Sequence, residues 1–136
     1  MIQRIQSLWL LLAVACISAS FKFPFYSGTN VKGITPYELN ATENILLILT
    51  SAVVGGLALF NIFLFKKRRL QLLLCVLGIF LEGVLIFLYY REIKTFVLGT
   101  LSLTSILHSI IVLAFFLAAG AINKDEKLVK SSNRLR

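Results

Sequence analysis

Histidine occurs once in this chain, cysteine twice, and only 6 of the 136 residues are acidic. Those shortages exclude a good deal. One imidazole and a few scattered acids cannot supply the donors of an ordinary metal centre. The two cysteines, Cys16 and Cys75, match no metal-ligand spacing and both lie inside apolar runs, where they read as small apolar residues. Phosphate-cradling glycine loops and dinucleotide fingerprints are absent. Ser105 and Ser109 lie close to His108 in sequence, but adjacent helical residues do not face each other. No oxyanion motif accompanies them, so no nucleophile–base arrangement is legible. No metal, no cofactor and no catalytic residue are therefore expected.

The chain is rich in apolar residues. Hydrophobic residues make up 58% of it, and the mean hydropathy is +0.88. A soluble domain of this size is nearer an even mix. Four runs are long enough to cross a bilayer, which takes about 20 apolar residues. They are Ile5–Phe21, Ile45–Phe65, Leu70–Tyr90 and Phe96–Ile122. Lipid offers no partner for backbone polar groups, so each run is expected to be a helix. Barrel strands would be shorter and alternate in polarity. The expected fold is an all-α integral membrane four-helix up-down bundle. Its spanning domain is residues 1–122, with an extramembrane connection at 22–44 and a basic tail at 123–136.

The net charge is +8. It does not point to nucleic acid, because the basic residues sit at the ends of apolar runs. Arg4, the turn Lys66, Lys67, Arg68 and Arg69, and the tail residues Lys124, Lys127, Lys130, Arg134 and Arg136 place ten cations on one side. Lys22, Lys32, Arg91 and Lys94 place four on the other. Lys and Arg stay with the cytoplasm. Both termini and the KKRR turn are thus expected there. The tail cations suit anionic lipid headgroups, and a cytoplasmic partner is the other reading of the tail.

Two stretches carry open alternatives. The first run, with MIQR ahead of LWLLLAVACI and small residues Ser18 to Ser20 behind, reads either as a retained helix or as a cleaved signal peptide. In the long connection, FKFPFY suits a membrane interface. TPYE, Thr35 to Glu38, is a capping-box pattern that places a helix start at Pro36.

Inside the apolar runs, polar residues are few. Glu82 stands in GIFLEGVLIF, eight residues before Tyr90 and so about 12 Å into a helix. An ionised acid at that depth costs several kcal/mol unless paired or protonated. His108 is twelve residues past Phe96, about 18 Å along if that run is helical. Short connections make helices three and four neighbours, so a Glu82–His108 pair is reasonable. Thr104, Ser102, Ser105 and Ser109 lie near His108, and Asn61 adds an amide at the end of run two. Cys75, Gly78 and Glu82 share a stripe. Ser51, Gly55 and Gly56 on run two, and Gly78 and Gly83 on run three, permit close helix packing.

The opening MIQRIQSLWLLLA and the close INKDEKLVKSSNRLR, with four spans between them, resemble the Bacteroidota membrane-protein family catalogued as domain of unknown function 4293. The resemblance implies a small bacterial inner-membrane protein with four helices, and that Met1 to Gln6 stay on the mature chain. It implies no activity and no ligand residue. Two functions are carried forward. One is a non-catalytic accessory or assembly subunit that binds membrane lipids and a membrane-protein partner or a second copy. The other is a small oligomeric proton- or ion-coupled transporter using Glu82 and His108.

Overall fold

A lipid-like chain folds by burying the little polarity it has and leaving apolar side chains outside. The computed structural model describes residues 2–33 and 36–135. Its elements in order are helix α1 (Ile2–Ser20), strands β1 (Tyr26–Asn30) and β2 (Tyr37–Leu39), helices α2 (Ile45–Phe63) and α3 (Arg68–Ile93), strand β3 (Phe96–Leu101), a 3₁₀ turn (Leu103–Ser105) and helix α4 (Ile106–Arg134). The preceding turn with α4, α2 and α3 are long and apolar enough to cross a membrane by length and composition. α1 contributes a shorter apolar stretch, Ile5–Ser20.

α1 packs on α2 and α4, and α3 packs on the same two helices, so the four enclose one core. Leu10, Ala13 and Ile17 of α1 meet Val54 and Ala58 of α2, Cys75 of α3, and Ile111, Phe115 and Ala118 of α4 there. Gly78 is part of the fit. A Cβ on it would lie 2.7 Å from the Phe115 ring. Outside, Phe63, Phe80, Phe87 and Phe116 are all exposed. An apolar surface of that extent is stable only against lipid or a partner.

The all-α expectation is corrected by a three-stranded antiparallel sheet in the order β2-β1-β3. It draws β1 and β2 from the α1–α2 connection and β3 from the α3–α4 connection, which brings both connections to one end. The run Phe96–Ile122 is therefore not one helix. Its first six residues pair with β1, Tyr26 opposite Leu101 and Gly28 opposite Gly99. Those two glycines allow the close approach: a Cβ at Gly28 would run into Leu98 O and Gly99 Cα. The short segment Tyr37–Leu39 is strand, so no helix starts at Pro36. Thr35 lies outside the described residues. The true start of α2 is Asn44, whose side chain accepts from Leu46 N–H at 3.1 Å. Beneath the sheet a second apolar cluster gathers Leu39, Leu47, Leu85 and Tyr89, with Phe25 and Phe96 against it.

At the other end, α2 closes through Leu64 N–H to Asn61 O and Lys67 N–H to Leu64 O, and α3 begins at once. Arg68 reaches Asp125 at 2.8 Å. The segment taken as a tail is continuous with α4 as far as Arg134. Arg136 lies outside the described residues, as do the side chains of residues 1–4.

Candidate functional site

α3 buries one stripe: Gln71, Cys75, Gly78, Glu82, Leu85 and Tyr89. The spacing alternates four and three, which keeps one helix face on its neighbours. Glu82 is fully buried in that stripe, and His108 is 3% exposed. His108 Nδ1 lies 2.6 Å from Glu82 Oε1. The expected pair is thus formed, but by a different geometry. α4 starts only at Ile106, so His108 stands in its first turn, not 18 Å along a helix. A carboxylate beside that first turn also faces the positive end of the helix dipole.

The acid finds its partner within its own chain. Glu82 Oε2 and the Tyr89 hydroxyl are buried without a hydrogen-bond partner among the described residues.

Aromatic rings cover the pair on the sheet side. Tyr89 lies two turns beyond Glu82 on α3, with its ring centroid 4.9 Å from His108. Phe25 stacks on Tyr89 at 4.4 Å and meets His108 edge-on at 5.3 Å. Phe25 is fixed because Ser102 N–H donates to its carbonyl at 3.1 Å. Thr104 Oγ1 donates to the Pro24 carbonyl, and Ser102 Oγ lies 2.9 Å from Thr104 Oγ1. The polar residues ahead of α4 therefore staple its start to the segment before β1. Ser105 is half-buried and Ser109 is exposed on the outer face, so neither belongs to the Glu82–His108 pair.

A second buried polar group lies near the α2–α3 turn. Gln71 Nε2 donates to the Asn61 carbonyl at 3.1 Å, and Asn61 Nδ2 donates to the Gln71 carbonyl at 3.2 Å. Asn61 Nδ2 also approaches Cys75 Sγ at 3.1 Å, and Gln6 Nε2 lies 3.4 Å from Gln71 Oε1. Sequence reasoning noted Asn61 and passed over Gln6 and Gln71. The signal for Gln71 was present: it sits four residues before Cys75 on the Glu82 stripe.

The small residues divide. Ser51 is buried, Gly55 faces Ile17 of α1 and Gly78 faces Phe115, while Gly56 and Gly83 meet nothing within 4 Å and look outward. Among the basic residues, Arg68 is bound to Asp125, and Lys130 and Arg69 approach Glu126 at 2.7 and 3.8 Å. Lys66, Lys67, Lys124, Lys127 and Arg134 are exposed. The described residues hold no group of three or more potential metal ligands.

A family model described as "Domain of unknown function (DUF4293)" matches residues 2–135, and the chain belongs to that family. No curated protein and no solved structure matches the chain.

Proposed function

We propose that this member of the family is a non-catalytic accessory or assembly subunit in a Bacteroidota inner membrane. In this reading all four helices span the bilayer in up-down order, with both termini and the KKRR turn in the cytoplasm. Several features support that topology. α1 has 19 residues, about 28 Å of helix, close to the roughly 30 Å hydrocarbon core. Both long connections enter one sheet, and most of the cations lie at the opposite end.

The observation that carries the functional reading is the Glu82–His108 contact closed inside one chain. A bundle that pairs its buried acid with its own histidine presents an apolar outside to its neighbours, with open positions at Gly56, Gly83 and Gly120. Such positions let another helix approach closely. The test is purification in mild detergent of the chain tagged at the exposed Lys32–Gly33 turn. A stoichiometric membrane partner is expected, and Gly56→Leu should release it while the chain stays folded. Recovery of the chain alone would overturn the reading.

Glu82 Oε2 and Ser51 Oγ, buried without partners among the described residues, favour a second reading, a proton- or ion-coupled transporter. There, Glu82→Gln or His108→Ala would abolish a pH-dependent flux into vesicles. A flux unchanged by both substitutions would sink it.

A further inference from the structure

A run of four cations beside a span orients a chain and need not form a site. Here the fold adds to it. The last turns of α4 pass the α2–α3 turn and bring Glu126, Val129 and Lys130 against Lys66 to Leu70, lining an open surface notch of about 500 Å³. We propose that this notch binds the phosphodiester headgroup of an anionic phospholipid.

The charge count favours an anion. Five cations line the notch and Glu126 is its single carboxylate. Glu126 already serves Lys130 and, more distantly, Arg69, and Arg68 is held by Asp125. Lys66 and Lys67 have no carboxylate partner among the described residues. The first turn of α3 adds to the attraction. It contains no acid, and Lys67 at its N-cap makes no side-chain cap, in contrast to Asn44 on α2. Its dipole and first-turn N–H groups favour an anion.

The lining also decides which anion. Leu70 and Val129 line the notch beside the cations, and both are exposed. Just before it, α2 ends on exposed Phe63, and exposed Phe65 follows in the turn. The notch therefore grades from charge to apolar surface where the apolar helices end, which is where a lipid presents phosphate and then acyl chain. A free phosphate would use only the charges. This inference does not depend on a protein partner.

The experiment uses the full chain in detergent, with retained lipid counted by native mass spectrometry after adding phosphatidylglycerol or phosphatidylcholine of the same acyl length. Preferential retention of phosphatidylglycerol is expected. The triple variant Lys66→Gln, Lys67→Gln, Arg69→Gln should lose that preference by about a hundredfold. Glu126→Gln should strengthen it, because the headgroup no longer competes with a resident carboxylate. Lys22→Gln with Lys32→Gln, at the sheet end, should leave it unchanged. Equal retention of the two lipids, or a triple variant that behaves as wild type, would overturn the proposal. So would displacement of the lipid by inorganic phosphate, or recovery of an acidic polypeptide in the notch in place of lipid. Should the triple variant fail to fold, Lys66→Gln and Glu126→Gln, both at exposed or half-exposed positions, carry the same two opposite expectations.

Discussion

The bundle contains two buried polar knots built from different chemistry. Near the α2–α3 turn, Asn61 and Gln71 each bond the other's carbonyl. Toward the sheet, Glu82 and His108 join α3 to α4 under the rings of Phe25 and Tyr89. The first knot is neutral: its two amide–carbonyl bonds tie residues ten apart in sequence, and Gln6 of α1 joins it at 3.4 Å. The second is ionisable and ties residues 26 apart. Amides lose little when buried with their bonds made. An acid and an imidazole lose much more if separated, because each then stands alone in a medium that cannot solvate charge. The amide knot closes a hairpin that its short turn already favours. The ionisable knot fixes which face of α4 meets α3.

The sharpest way to break this contrast is Glu82→Leu. It strands His108 and is expected to cost about 3–5 kcal/mol of stability, read from unfolding in mixed detergent micelles. The double variant Glu82→Leu, His108→Leu should recover most of that loss, since neither charge nor donor remains. Strict additivity would show that the two groups are not coupled. Next in size is Gly78→Ala, between the knots. Its new methyl meets the Phe115 ring, for an expected loss of about 1–3 kcal/mol that Phe115→Leu should relieve. Gly83→Ala, facing open space, is the control and should stay within about 0.5 kcal/mol.

Gln71→Ala should follow, at about 0.6–2 kcal/mol. A loss equal to that of Glu82→Leu would erase the distinction between neutral and ionisable knots. The smallest effect lies at the sheet. Tyr37 donates its hydroxyl to Glu43 at 2.6 Å. That hydrogen bond, followed by burial and the nearby carboxylates, pushes the phenol up to about 12 from its ordinary 10.0. The folded state thus holds the proton more tightly than the unfolded one. Its contribution is complete below pH 10 and is lost as pH rises through about 12. Glu43→Gln should return the ultraviolet-monitored ionisation of Tyr37 toward 10, and an unchanged titration would show that the contact is not formed.

Much of this could be read before folding was considered. Long apolar runs in α2 and α3 fix their helices within two or three residues, because lipid leaves the backbone no alternative. Glu82 and His108 stood out as rare polar residues on neighbouring helices. The depth argument that joined them was wrong in its premise, since Phe96–Leu101 is strand. An apolar run with β-branched residues suits strand and helix equally by pattern. It paired as a strand because Tyr26–Asn30, some seventy residues earlier, lay beside it. Gln6 escaped notice for a similar reason: nothing local marks a glutamine in α1 as the neighbour of Gln71.

By itself, then, the sequence determined helices, their apolar character and the uneven placement of cations, because these follow from local composition and from the solvent it demands. Tertiary structure decided the sheet, the true start of α4, the inward and outward glycines, and the gathering of Lys130 onto the Lys66–Arg69 turn. Each of those is a contact between residues far apart in the chain. Which distant groups meet depends on how the helices pack, and no local pattern encodes that.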